Sequence, residues 1–197
     1  GTTATDPAVT NLTTAIGRMG AASVLFFPGL IDEVRIYNRA LSASEVEGLY
    51  KSGAVKFQAP DNKGLVGYWS MNEGKGVTTT DFSGNRNHGT LTNSQGNPWV
   101  NGKQGRALSF DGTNDYVSVS NQPYFNTAVS PKMSFSFWAK VPTNATPLGS
   151  GSSCVGKYFL NKNGISGWSF INDGNKEICF RTWNSAGSVH AQSNASF

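Results

Sequence analysis

The stretch Gly29-Leu30-Ile31-Asp32-Glu33-Val34-Arg35-Ile36-Tyr37-Asn38-Arg39-Ala40-Leu41-Ser42 decides the fold. From Leu30 to Asn38 it alternates. Leu30, Asp32, Val34 and Ile36 share one face, and Ile31, Glu33, Arg35 and Tyr37 share the other. That is the period of a β-strand with one face buried, which sets Asp32 inward beside Val34 and Ile36. The strand ends where a helix starts. Ser42 and Glu45 stand three apart as a capping box, and Leu41 with Val46 has the spacing of a hydrophobic staple. Lys51 in the last turn and Gly53 just beyond mark the helix end, so the pattern predicts a short helix over residues 42–51.

Outward from this block the chain is strand and turn. Ala59-Pro60-Asp61-Asn62-Lys63-Gly64 reads as a linker or tight connection. After it, strands are expected at Leu65–Met71, Ala107–Asp111, Tyr116–Val119, Met133–Lys140, Val155–Leu160, Trp168–Ile171, Ile178–Trp183 and Ser188–Gln192, with a short one at Ile16–Met19 before it. Met133, Phe135 and Phe137 alternate with Ser134 and Ser136, which marks a sheet with one buried face. Asp111-Gly112 and Asn172-Asp173-Gly174-Asn175 carry turn chemistry. Many short strands, one short helix and 23 glycines in 197 residues predict an all-β protein, an antiparallel β-sandwich.

Four blocks give the sandwich a family. Tyr68-Trp69-Ser70-Met71-Asn72-Glu73-Gly74, Asp81-Phe82-Ser83-Gly84-Asn85-Arg86-Asn87-His88-Gly89-Thr90-Leu91, Gly105-Arg106-Ala107-Leu108-Ser109-Phe110-Asp111-Gly112 and Phe135-Ser136-Phe137-Trp138 together resemble the opening of a laminin-G-like module. Such modules are concanavalin A-like lectin/glucanase jelly rolls, found in secreted and cell-surface proteins. Residues 29–50 resemble the close of the same module, so an ending precedes a beginning. Residues 1–57 then read as closing strands and helix, 58–63 as linker, and 64–197 as opening strands. The hairpin expected before the final third of a module, Trp-x-His-Val followed by Tyr-x-Asp-Gly, has no match here. Either one sandwich is circularly permuted, or the chain straddles two tandem modules and is a fragment of something longer. Residues 1–57 are expected to complete a sandwich with 64–197, in the same chain or a neighbouring copy, because the alternative leaves long unpaired edges.

Asp81, Ser83, Asn85 and Asn87 place oxygen-bearing side chains at every second position around Gly84. A hard cation such as Ca²⁺ takes 6–8 oxygens from such a loop. An inward Asp32 needs a compensating charge, and the first and last strands of this fold are neighbours. These residues, with Glu73 as a further ligand, are therefore the expected structural Ca²⁺ site. The same pattern serves a network of Asx and Ser turns, and backbone N–H groups would also compensate Asp32. Catalysis finds no pattern. Glucanases of this fold use carboxylates spaced Glu-x-Asp-x-x-Glu, with acid and nucleophile ~5 Å apart, and Glu33, Glu45, Glu47, Glu73 and Glu177 never fall so. His88 and His190 are isolated. The chain is expected not to be an enzyme.

Aromatic side chains are the other candidates. Trp99, Trp168, Trp183 and Tyr158 could stack on sugar rings, whereas Trp69 and Trp138 are expected in the core. Cys154 and Cys179 permit one disulfide or two buried thiols. Asn11, Asn144 and Asn194 each open an Asn-x-Ser/Thr glycan-acceptor pattern. Charged residues are 14% and the net charge of +4 is scattered, without the basic stripe that nucleic acid requires. No apolar run is long enough to span a bilayer. The expectation is a secreted or cell-surface recognition or adhesion module for a glycan or an extracellular protein. The alternative is a structural repeat completed by further copies of itself, with a polysaccharide-active enzyme third.

Overall fold

A computed structural model of the chain describes residues 13–19, 25–51, 62–125, 132–142, 157–162, 167–172, 178–184 and 187–192. Two antiparallel sheets face each other. The larger holds β1 (Thr14–Ile16), β4 (Thr78–Thr79), β5 (Gly89–Thr92), β8 (Tyr116–Val119), β10 (Lys157–Lys162), β11 (Gly167–Asn172), β12 (Ile178–Asn184) and β13 (Gly187–Gln192). Their spatial order is β13-β12-β11-β10-β1-β8-β5-β4. The smaller sheet runs β3-β2-β7-β6, with β9 on the other side of β2. Its members are β2 (Pro28–Tyr37), β3 (Leu65–Trp69), β6 (Trp99–Asn101), β7 (Arg106–Asp111) and β9 (Ser134–Lys140). The helix α1 spans Ala43–Lys51.

The N-terminal segment supplies an interior strand to each sheet. In β1, Ile16 pairs with Val117 on one side and Leu160 on the other. In β2, Ile31 pairs with Leu108 of β7 and Ala139 of β9, and Val34 pairs with Trp69 of β3. Strands early in the chain thus hydrogen-bond to strands far along it, with no tight turn between them to set the register; burial of the apolar residues sets it instead. Ile16, Leu91, Val117, Val119, Leu160 and Trp168 of the large sheet close on Ile31, Val34, Ile36, Trp69, Leu108 and Phe110 of the small one, all buried. This is the antiparallel sandwich that the alternation predicted.

Several expected strands shift by one to three residues. The strand expected at Ile16–Met19 is Thr14–Ile16, because Gly17 takes a φ of +88° and turns the chain. The strand expected at Val155–Leu160 runs Lys157–Lys162. Thr78–Thr79, Gly89–Thr92 and Trp99–Asn101 are too short to show a period. At the helix the capping box forms: the Ser42 N–H donates to Glu45 Oε2 at 2.7 Å, and the Glu45 N–H reaches Ser42 Oγ at 3.4 Å. The staple does not. Val46 is exposed, and Leu41 packs instead against the cluster of Tyr37, Leu49 and Leu65, where the helix meets the sheet.

The departure that shapes the site lies inside β2. Glu33 has a φ of +56°, and the pairing with β9 slips between Asp32 and Arg35. This is a bulge. It changes the parity of the strand: Ile31 points into the core before it, and Val34 and Ile36 point into the core after it. Asp32 therefore sits on the outer face of the small sheet, not inward beside Val34 as simple alternation required.

Candidate functional site

A pocket of about 290 Å³ opens on that outer face. Ile31, Leu108 and Phe137 turn toward the core, so their neighbours Leu30, Asp32, Ala107 and Trp138 turn outward and line it. Asn101, Gly102 and Lys103 close one side and Lys140 the other. The turn from 102 to 105 is tied by the Gly102 N–H to the Gly105 carbonyl at 3.0 Å. Gly102 has a steric reason to be glycine, since a β-carbon there would lie 2.6 Å from Asp32 Oδ2.

Asp32 is 2% exposed and half satisfied. Its Oδ2 accepts the Lys103 N–H at 2.8 Å and the Gln104 N–H at 3.0 Å. Its Oδ1 is buried and has no hydrogen-bond partner among the described residues. Burial, and next to it the charge of Glu33, push the Asp32 carboxyl up to about 6 against the pull of the Gln104, Lys103 and Glu33 backbone N–H groups. The sign follows directly. A folded-state pKa above the unfolded one means that the folded chain holds the proton more tightly, so Asp32 supports stability below pH ~4 and that support is lost as pH rises through 6. With water reaching the pocket, the loss should be ~1–2 kcal/mol, less than the full conversion of the shift. Urea titrations at pH 4 and pH 7 should show this loss in the wild type and not in Asp32→Asn. An equal change in unfolding free energy between pH 4 and pH 7 in the two proteins would refute it.

Trp138 forms the aromatic wall. Its indole lies against Tyr50 of α1, ring centroids 5.6 Å apart, and the Lys103 ammonium stands 4.8 Å from its centroid. Tyr50 is 69% exposed. The pocket therefore offers an aromatic surface, two lysines, an amide side chain and one carboxylate oxygen lacking a donor.

The residues expected to hold Ca²⁺ fall elsewhere, apart from Asp32. Asp81 is buried, and its Oδ1 accepts the N–H groups of Tyr68 and Ser83, both at 2.9 Å. Its Oδ2 accepts the Ser83 hydroxyl and the Asn87 N–H, also at 2.9 Å. Asn85 donates to Ser83 Oγ at 3.1 Å. Asn87 donates to the Val66 carbonyl and accepts from the Tyr124 hydroxyl, each at 2.9 Å. Glu73 Oε1 takes the Thr80 N–H at 2.6 Å, while its buried Oε2 has no partner among the described residues. The 81–87 loop is thus stitched to β3 by Asx and Ser turns, with both Asp81 oxygens engaged by donors. In the fold as described, Asp81 spends both oxygens on these hydrogen bonds within the loop and to β3. Among the described residues, no three His, Cys, Asp or Glu side chains gather as a metal centre.

The expected sugar-stacking aromatics need correction. Trp99 and Trp168 are buried in the core; their indole N–H groups donate to the Gly76 and Phe125 carbonyls at 3.1 and 2.8 Å. Tyr158 is buried too. None of these faces a ligand. The side chains of Trp183 and His190 lie outside the described residues. Trp138, expected in the core, is half-buried on the outer face of the sheet and lines the pocket. The alternation of Phe135 and Phe137 already implied this, since Trp138 shares the parity of Ser134 and Ser136. Cys179 is buried and disulfide-bonded, and Cys154 lies outside the described residues.

Residues 1–47, which carry β1, β2 and the start of α1, match a laminin-G-like family model described as the concanavalin A-like lectin/glucanases superfamily. Among the described residues, two facing antiparallel sheets and one short α-helix are consistent with a concanavalin A-like β-sandwich. No curated protein and no solved structure matches the chain.

Proposed function

We propose that the pocket beneath Trp138 is a non-catalytic saccharide-binding site, in a recognition module that works outside the cell. One observation carries this reading: a buried, half-satisfied carboxylate, Asp32, lines a pocket walled by the half-buried indole of Trp138. Sugar hydroxyls donate to carboxylates, and sugar rings present C–H faces that pack on aromatic rings. The superfamily matched by residues 1–47 includes lectins, which favours the same class of ligand. The charge inventory favours binding without turnover: Asp32 is the one carboxylate among the described lining residues, and glycoside cleavage uses a pair. Its neighbour Glu33 is engaged by Arg35 and the Tyr68 hydroxyl. None of the described helices is long and apolar enough to cross a membrane.

A glycan array should give a saturable signal that falls at least about tenfold in Trp138→Ala and Asp32→Asn, with no new reducing ends released from the bound glycans. A signal that both variants leave unchanged would end the proposal.

A second reading has its own observation. Among the described residues β9 pairs only with β2, and its inward rings Phe135 and Phe137, with Phe180 of β12 packed against Phe135, are only partly buried. An open strand edge next to incompletely covered rings suits completion by a neighbouring copy in an array. Sedimentation over a hundredfold range of concentration tests it. A monomer throughout would exclude the array.

A further inference from the structure

We infer that the saccharide taken by this pocket is acidic, carrying a carboxylate or a sulfate that pairs with Lys103 and Lys140. The inference rests on the saccharide reading above and specifies its ligand class. Lys103 and Lys140 stand on opposite sides of the pocket, and among the described residues neither takes part in a salt bridge. The ion pairs seen lie elsewhere, at Arg35–Glu33, Arg39–Glu45 and Lys51–Glu47. A neutral sugar's hydroxyls could accept from these two ammonium groups but would leave their charge uncompensated, whereas an acid group would pair with it. A small cation would meet two positive charges and one carboxylate.

Lys103 is placed for an exchange. Its backbone N–H is held by Asp32 Oδ2, so the start of its side chain is fixed at the pocket. Its ammonium rests over the Trp138 ring, a weak contact at an exposed site. An anionic group on the ligand offers a charge-assisted hydrogen bond of about twice the strength of a neutral one. The ammonium can therefore leave the indole for the anion, and the ring face it uncovers becomes free for the sugar ring. Lys140 continues from β9 on the far side and is exposed. Meanwhile a ligand hydroxyl donates to Asp32 Oδ1, the one lining carboxylate oxygen without a donor. An acid group and a hydroxyl are thus read within one pocket.

Calorimetric titration of the whole chain would use three tetrasaccharides: a galacturonate oligomer, a sulfated glycosaminoglycan fragment, and cellotetraose as the neutral probe. At least one acidic probe should bind about tenfold or more tighter than cellotetraose at low salt, and the gap should shrink as salt screens the pair. The better of the two acidic probes identifies carboxylate or sulfate as the source. The exposed-site variants Lys103→Gln and Lys140→Gln should each narrow the acidic-to-neutral ratio by about threefold or more, whereas Lys51→Gln, on α1 and paired with Glu47, should not. Cellotetraose binding as tightly as both acidic probes overturns the acidic assignment and leaves the saccharide pocket standing. If none of the three binds, or if Asp32→Asn and Trp138→Ala leave binding intact, the acidic assignment falls together with the pocket.

Discussion

Arg35→Ala is expected to lower the unfolding free energy by about 3–5 kcal/mol, because it strands a buried carboxylate. Glu33 is 2% exposed, and its Oε2 lies 2.5 Å from the Arg35 guanidinium. The same guanidinium sits 4.0 Å from the Tyr68 ring centroid, and the Tyr68 hydroxyl donates to Glu33 Oε2 at 3.0 Å. Burial, with the Glu33 charge reinforcing it, pushes that hydroxyl up to about 12, so it stays protonated and remains a donor. Without Arg35 a single phenol would face a full negative charge in a dry site. The paired replacement Glu33→Gln with Arg35→Met removes both charges and should recover most of the loss, since exchanging a buried ion pair for neutral groups is often close to neutral. Urea denaturation of the three proteins at pH 7 decides it. An Arg35→Ala cost below ~1 kcal/mol would show the pair to be a surface contact in energetic terms.

Asp81→Ala should cost a similar amount, about 3 kcal/mol or more, by a different route. Three backbone N–H groups and one hydroxyl lose their acceptor together, and each buried donor left unpaired costs about 1–3 kcal/mol. Tyr68 belongs to β3, next to β2, while Ser83 and Asn87 belong to the loop. The defect therefore unties the loop from the sheet and frees Asn87, whose carbonyl accepts the Trp69 indole N–H at 2.8 Å. Faster hydrogen exchange at the Tyr68, Ser83 and Asn87 amides should accompany the loss of stability. Asp81→Asn keeps one acceptor oxygen and should fall between the two. Unchanged exchange at all three amides would mean that the loop holds itself without Asp81.

The sandwich was legible in residues 133–140, where Met133, Phe135 and Phe137 alternate with Ser134 and Ser136, in the blocks at 29–42 and 64–74, and at Ser42 and Glu45, which write the helix start. Short-range chemistry of this sort needs no knowledge of neighbours. The 81–87 loop was legible in part, because Asp, Ser and Asn at alternate positions fit both a cation loop and a turn network. Only the placement of the Tyr68, Ser83 and Asn87 N–H groups around Asp81 shows what the carboxylate does in the fold. Trp99 and Trp168 look like any other tryptophan in the sequence; a carbonyl within reach of each indole N–H, at Gly76 and Phe125, is what makes them core residues.

The pocket illustrates the division most sharply. Composition and alternation determined a two-sheet β protein and even the outward parity of Trp138. They could not place Asp32, because one bulge at Glu33 reverses which side of β2 faces the core. Nor could they bring Lys103 to Asp32 across 71 positions of sequence, since that contact depends on β2 and β7 pairing and on a glycine at 102 that lets the turn approach. Local patterns are set by each residue's own preferences and so survive in the sequence. A site assembled from β2, β6, β9 and α1 exists only once burial of the core has fixed the register of strands that are distant in the chain, and that is a property of the tertiary structure alone.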